Sequence, residues 1–142
     1  IAVYNKCSYW LDLGTPGKYL KAHMDILKGI FHLGEYDFNN NGRYISSSAK
    51  ISSSAKIIEP VYIGDNVEVG SFAVVGPDAV LCDNSSIGVG AKIVGSVVWD
   101  HVHVGSGASI VNSVVMSNCK VDRNSEEYNT VLAENLSYPI AV

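Results

Sequence analysis

Positive charge is sparse and scattered in this sequence. Ten Lys and Arg stand against fourteen Asp and Glu, a formal net charge of −4. No basic run offers a track for phosphates, which argues against nucleic acid as a partner. No apolar run approaches the roughly 20 residues needed to cross a bilayer, and no charged leader followed by an apolar stretch opens the chain. Cysteine is limited to Cys7, Cys82 and Cys119, an odd number with no CxxC pair. That excludes a disulfide framework and points to reduced structural thiols in a cytoplasmic protein. An initiator Met is also lacking. The chain opens at Ile1 in an apolar stretch and reads as part of a longer protein, whose leader, if it has one, would lie upstream. Charged residues make up only 17% of the 142, against 47% hydrophobic. Such a balance suits one densely buried domain with a short appendage, not disorder.

What is present is a repeat. An aliphatic residue recurs every sixth position at Ile45, Ile51, Ile57, Ile63, Val69, Val75, Leu81, Ile87 and Ile93. Small residues often follow, as at Gly64, Gly70, Gly76 and Gly88. A second series stands four positions after each aliphatic and runs from Ala49 and Ala55 through Ala73 and Ser85 to Ala91 and Val97. Residues 45–50 and 51–56 are the same hexad, ISSSAK, twice over. Three hexads close one coil of a triangular prism. Each supplies a short strand whose aliphatic points inward and a corner where a small residue lets the backbone turn. This pattern resembles the hexapeptide-repeat family, and the resemblance implies an all-β fold, a left-handed parallel β-helix. That handedness is opposite to the usual crossover rule and comes from the resemblance alone.

After Ile93 the repeat shortens to seventeen residues per coil. The run from Ala91 to Val98 returns as Ala108 to Val115, then weakly as Ser125 to Leu132. In the last copy Glu127 takes the place of the inward Ile110. A carboxylate is costly in such a core, so the final coil is expected to be open and to cap the helix, as solenoid ends require. The repeat spans Ile45 to about Leu132, about five coils, and residues 135–142, with Pro139, form a trailing end.

Ahead of the repeat, Tyr9–Pro16 reads YWLDLGTP and leads into GKYLKAHMDIL. Thr15 suits a helix N-cap and Pro16 the first helical position. Leu20, Met24, Leu27 and Phe31 fall on one helical face, and Gly29 suits the stop. A strand, a turn and an amphipathic helix are therefore expected, packing on the β-helix or on an absent domain. Residues 35–44 read as a linker.

The YWLDLGTP segment, the YLKAH helix and the hexads after them resemble the end of NDP-sugar pyrophosphorylases, mannose-1-phosphate guanylyltransferases most closely and glucose-1-phosphate transferases next. On that resemblance residues 1–34 are the tail end of a nucleotidyltransferase domain and residues 45–142 the β-helix with its cap. The reaction it implies joins a sugar 1-phosphate to a nucleoside triphosphate, giving an NDP-sugar such as GDP-mannose and pyrophosphate, with magnesium neutralising phosphate charge. The family's metal-holding Asp maps onto Asp12, a ligand only in the intact parent. The family's glycine-rich nucleotide loop is not found; Gly64 to Gly76 and Gly105-Ser-Gly107 fall on hexad corners. The chain by itself is therefore expected to hold no catalytic residue and no cofactor, and to serve as a scaffold that self-associates through the β-helix and meets the missing amino-terminal catalytic domain. Tyr62, Phe72 and Trp99 are the candidate aromatic contacts.

A rival reading rests on Asp100-His101-Val-His103. Many hexapeptide-repeat proteins are acyltransferases that use acyl-CoA and a His base at a trimer boundary. His101 or His103 would be that base, and His-x-His is also a possible metal pair. The blander reading makes both residues surface positions, since the next coil has Asn118 and Lys120 there and no long loop interrupts the repeat. His23 and His32 look incidental.

Overall fold

The structure is a computed structural model that describes residues 16–27, 42–133 and 136–140. Seventeen short strands and one helix are present among them. The strands form three parallel sheets, which are the three faces of a prism. The chain visits the first, second and third face in turn and begins again, for five coils. On the first face Ile45, Ile63, Leu81, Val98 and Val115 lie in register, one above the other. Val69, Ile87 and Val104 do the same on the second, and Val75, Ile93 and Ile110 on the third. Ile63, Leu81, Ile93 and Ile110 are wholly buried. Each such side chain contributes about 1.5–3 kcal/mol on leaving water, and together they form one continuous core.

The change of period has a structural cause. Eighteen residues separate Ile63 from Leu81, and seventeen separate Leu81 from Val98. The corner leading from the third face back to the first loses one residue. In the first two coils it contains the cis peptides Glu59–Pro60 and Gly76–Pro77. Gly76 has a φ of +100°, and a Cβ there would stand 1.8 Å from the Ile58 carbonyl oxygen, so only glycine fits. In the later coils Gly95, Asn112 and Asn129 make the turn alone, with φ of 58°, 50° and 52°. Ser96, Ser113 and Thr130 follow them. Ser96 Oγ donates to the Val94 carbonyl (2.8 Å) and accepts from the Ser113 N–H (3.0 Å). Ser113 Oγ repeats the pattern with the Val111 carbonyl and the Thr130 N–H. The two buried hydroxyls are thus satisfied, as burial demands.

One sequence expectation is corrected here. The small-residue series does not reach Val97. Val80 pairs with Val97, so Ala79 stands over Ser96, one residue earlier. The deletion at the corner shifted the count, and the Val97-Val98 doublet concealed it. Val97 points out of the prism yet is wholly buried.

Helix α1 (Pro16–Leu27) explains that burial. Leu20 and Met24 pack on the outside of the first face against Val80, Val97 and Val114, with Tyr44 and Tyr62 in the same cluster. Lys21 Nζ reaches the buried Asp25 carboxylate at 2.8 Å, an i, i+4 pair on the helix. The Leu27 side chain, Phe31, Gly29 and the expected strand near Trp10 lie outside the described residues.

At the far end Glu127 pairs in register with Ile110, half-buried, and accepts a hydrogen bond from Ser125 Oγ at 3.0 Å. The second and third sheets stop in that coil. The first continues through Thr130–Ala133, which turns back on itself: Leu136–Pro139 pairs with it antiparallel. The expected trailing end is therefore the second arm of a hairpin that closes one face.

Candidate functional site

The second face presents an outward row, Lys50, Glu68, Ser86, His103 and Lys120, one residue per coil. Beside it runs a row of glycines. A Cβ on Gly70, Gly88 or Gly105 would come within 2.8, 2.6 or 2.7 Å of a backbone nitrogen of the next coil. These glycines let the coils stack closely, and they leave a shallow groove of about 600 Å³. His103 stands over it, exposed, with Nδ1 2.5 Å from Ser86 Oγ. Among the described residues no carboxylate hydrogen-bonds its ring. Lys120 and Arg123 lie towards one end of the groove.

His101 is placed differently. It sits on the corner between the first and second faces with a φ of 57°. Its Nδ1 meets Asp100 Oδ2 at 2.9 Å. Asp100 also accepts a hydrogen bond from the Ser117 hydroxyl. That bond, and then the one from His101, holds the Asp100 carboxyl below the usual carboxylate range. No hydrogen bond joins the two histidines, and each ring has its own separate partner. Among the described residues no group of three or more His, Cys, Asp or Glu could hold a metal ion.

The aromatic candidates divide. Tyr62 stacks on Tyr44 with ring centroids 4.9 Å apart, under the apolar side of α1. Trp99 lies 6.1 Å from Tyr19 of the same helix, and its buried Nε1 has no hydrogen-bond partner among the described residues. Phe72 is 72% exposed on the corner between the second and third faces, with a φ of 59°. Asp12 and Cys7 lie outside the described residues.

Two further groups are shifted by burial. On α1 itself, burial pushes the His23 imidazole down to about 4, and Tyr19 meets it edge-on at 4.5 Å. The sequence signal for that contact was the spacing of Tyr19 and His23, four residues apart on one helix. Burial, reinforced by Asp83 and Asp100, also raises the Cys82 thiol to about 12, which makes it a poor nucleophile.

A stack of three-sided coils with small residues at the corners defines the class: a left-handed, hexapeptide-type β-helix. Within it the chain belongs to a particular family, because residues 57–139 match the model of the GMPPB C-terminal domain. No curated protein matches the sequence. Several solved structures are similar. A mutant GDP-perosamine N-acetyltransferase from Caulobacter crescentus, with CoA and GDP-perosamine, is 17% identical, with a TM-score of 0.43 over 69% of this chain and 55% of that one. A hexapeptide transferase family protein from Anaplasma phagocytophilum is 16% identical, with a TM-score of 0.39 over 70% and 79% of the two chains. Serine acetyltransferase 1 from Entamoeba histolytica is 20% identical, with a TM-score of 0.26 over 84% and 52%. At these values the likeness goes no further than the repeating coil. The chain spans little more than half the length of the first of these proteins. Among the described residues no helix is long and apolar enough to cross a membrane.

Proposed function

We propose that this chain is the carboxy-terminal part of a cytoplasmic sugar-1-phosphate nucleotidyltransferase, in which the β-helix is a scaffold and self-association module. The observation that carries the reading is the family match over residues 57–139. The segment before it, residues 9–27, supports it through its likeness to the end of a nucleotidyltransferase domain. In the intact enzyme a sugar 1-phosphate and a nucleoside triphosphate, mannose 1-phosphate and GTP on the closest resemblance, would react in the amino-terminal domain. Magnesium would be held there with the help of Asp12. The β-helix itself holds α1 against its first face, and through it the domain to which α1 is joined. The test is pyrophosphate release from GTP and mannose 1-phosphate. The full-length parent is expected to release it and this chain alone to be silent. A silent parent would remove the reading.

The acyltransferase reading has one observation in its favour, the His103–Ser86 pair above the second-face groove. Heating the chain with and without acetyl-CoA separates the two. A cofactor at a hundredfold excess over its dissociation constant stabilises the native state by about 2.7 kcal/mol. The nucleotidyltransferase reading expects no shift in Tm; a raised Tm, together with a trimer, would support an acyl-CoA site with His103 as base.

A further inference from the structure

We propose that the outer surface of the third face, with the corner beside it, pairs with the same surface of a second copy, the two solenoids running antiparallel. This deepens the self-association proposed above by assigning it a surface and a register.

Three observations carry it. First, parallel sheets are usually covered on both sides. The first face is covered by α1, yet no described element packs over the third, although Ile58, Val74, Val94 and Val111 look outward from it, each half-buried. Second, the three large hydrophobic side chains that stand exposed among the described residues all belong to this surface. They are Tyr128 at 51%, and Phe72 and Val89 on the adjoining corner at 72% and 53%. Phe72 also holds a left-handed backbone conformation that the other coils give mostly to Asn, Asp and Gly. A bulky side chain is unfavourable there. Third, charge along the face is graded. Lys56, Val74, Lys92, Ser109 and Glu126 form one row in register, basic at the first coil and acidic at the fifth. None of the three charged groups has an ion-pair partner among the described residues.

A two-fold axis across the third coil turns this gradient into complementarity. Lys56 then faces Glu126 of the second copy at both ends. Ile58 faces Tyr128, Phe72 lies over the bare Gly107, and Val89 and Val94 meet their own counterparts at the axis. Of the charged residues in the row, Lys92 alone opposes itself. The face is about 24 Å long for five coils and roughly 15 Å wide, from the spacings of strands and residues. A pair would bury on the order of 700 Å², below the ~1,200 Å² typical of stable complexes. The dimer is therefore weak, depends on concentration, and loosens with salt because the end pairs are solvent-exposed.

Sedimentation equilibrium of the chain over about a hundredfold range of concentration, at low salt, tests this. All the substituted residues are exposed, so folding is not at stake. Wild-type chain is expected to approach a dimer at the top of the range. Lys56→Glu or Glu126→Lys alone should raise the dissociation constant about tenfold, since symmetry doubles each repulsive contact. The double variant should recover to within about threefold of wild type. Lys92→Ser should tighten the dimer by removing the self-opposed pair. In a register that places Lys92 over Glu126 it would weaken it instead, and that result overturns the proposed axis. A dimer indifferent to the single charge reversals overturns the surface while leaving self-association standing. A chain monomeric throughout overturns both, and an acetyl-CoA-dependent trimer overturns them in favour of the rival function.

Discussion

The first and third faces of this solenoid begin alike and end differently. Both direct apolar side chains outward, from Tyr44, Tyr62, Val80, Val97 and Val114 on one and from Ile58, Val74, Val94 and Val111 on the other. On the first face α1 lies over this surface, and Val97 is completely removed from water. On the third the matching side chains stay half-exposed among lysines and a glutamate. Outward apolarity therefore does not tell by itself which partner a β-helix face takes. The charges around it do: the covered face has none in its outward row, and the open face has them graded from end to end.

The sharpest way to break this contrast is one charge placed on each face. Val97→Asp buries a carboxylate under the helix without a partner, and should cost more than about 4 kcal/mol or abolish cooperative unfolding in urea. Val94→Asp, three residues away on the third face, should stay within about 1 kcal/mol in dilute solution. Equal losses would mean that the two faces are covered alike.

Acid tests the covered face from the other side. His23 is held neutral by burial, with its pKa lowered from 6.5 to about 4. The unfolded or undocked chain therefore binds the extra proton first as the pH falls. The stability tied to neutral His23 is fully present above pH 6.5, declines as pH falls towards 4 and is gone below it, a total on the order of 3 kcal/mol. Fluorescence of Trp99, in a Trp10→Phe background, should report the release of α1 in that window. His23→Leu should remove the transition; its persistence would assign the acid sensitivity to another group. Leu20→Ala, at the centre of the helix contact, should cost about 2–3 kcal/mol. That loss appears in urea unfolding only if helix and coils melt as one unit.

Two smaller effects sharpen the picture. Ser96→Ala leaves the Ser113 N–H without its acceptor and should cost about 1–2 kcal/mol, read from the urea midpoint. Phe72→Asn relieves the left-handed backbone and should stabilise the dilute chain by about 0.5–1 kcal/mol, while weakening association at high concentration. A gain in one and a loss in the other is the signature expected of a residue kept for contact and not for folding.

The legible part of the fold was the part that repeats. Inward aliphatics such as Ile63, Ile93 and Ile110 recur because each coil must present the same atoms to the next, and an unbroken period of six runs through the first three coils, from Ile45 to Ile93. The corner deletion at Gly95 was legible only as a changed period, because Val97 and Val98 are interchangeable to the eye although one faces the core and the other the helix. The second arm of the hairpin, Leu136–Pro139, repeats nothing and left no pattern to find. Tyr62 and Trp99 looked like surface anchors because large residues near corners point outward. Whether something lies on top of an outward residue depends on a helix some forty or more positions earlier in the chain, and no local rule carries that distance. Of the candidate histidines, the sequence showed the cluster but not that His101 and His103 would take separate partners, Asp100 and Ser86.

The doubled ISSSAK hexad has a geometric meaning beyond its length. Three hexads make a full coil, so one hexad is a third of a turn. Adding or removing three leaves every face where it was; adding or removing one indexes the prism by 120°. Without residues 45–50, Arg43 and Tyr44 would lead directly into Ile51, and the chain would enter on the second face. Helix α1 would then be delivered to the row of Glu68, Ser86, His103 and Lys120, where no apolar surface awaits it. The repeated hexad thus works as a dial, and its setting decides which side of the solenoid faces whatever precedes it.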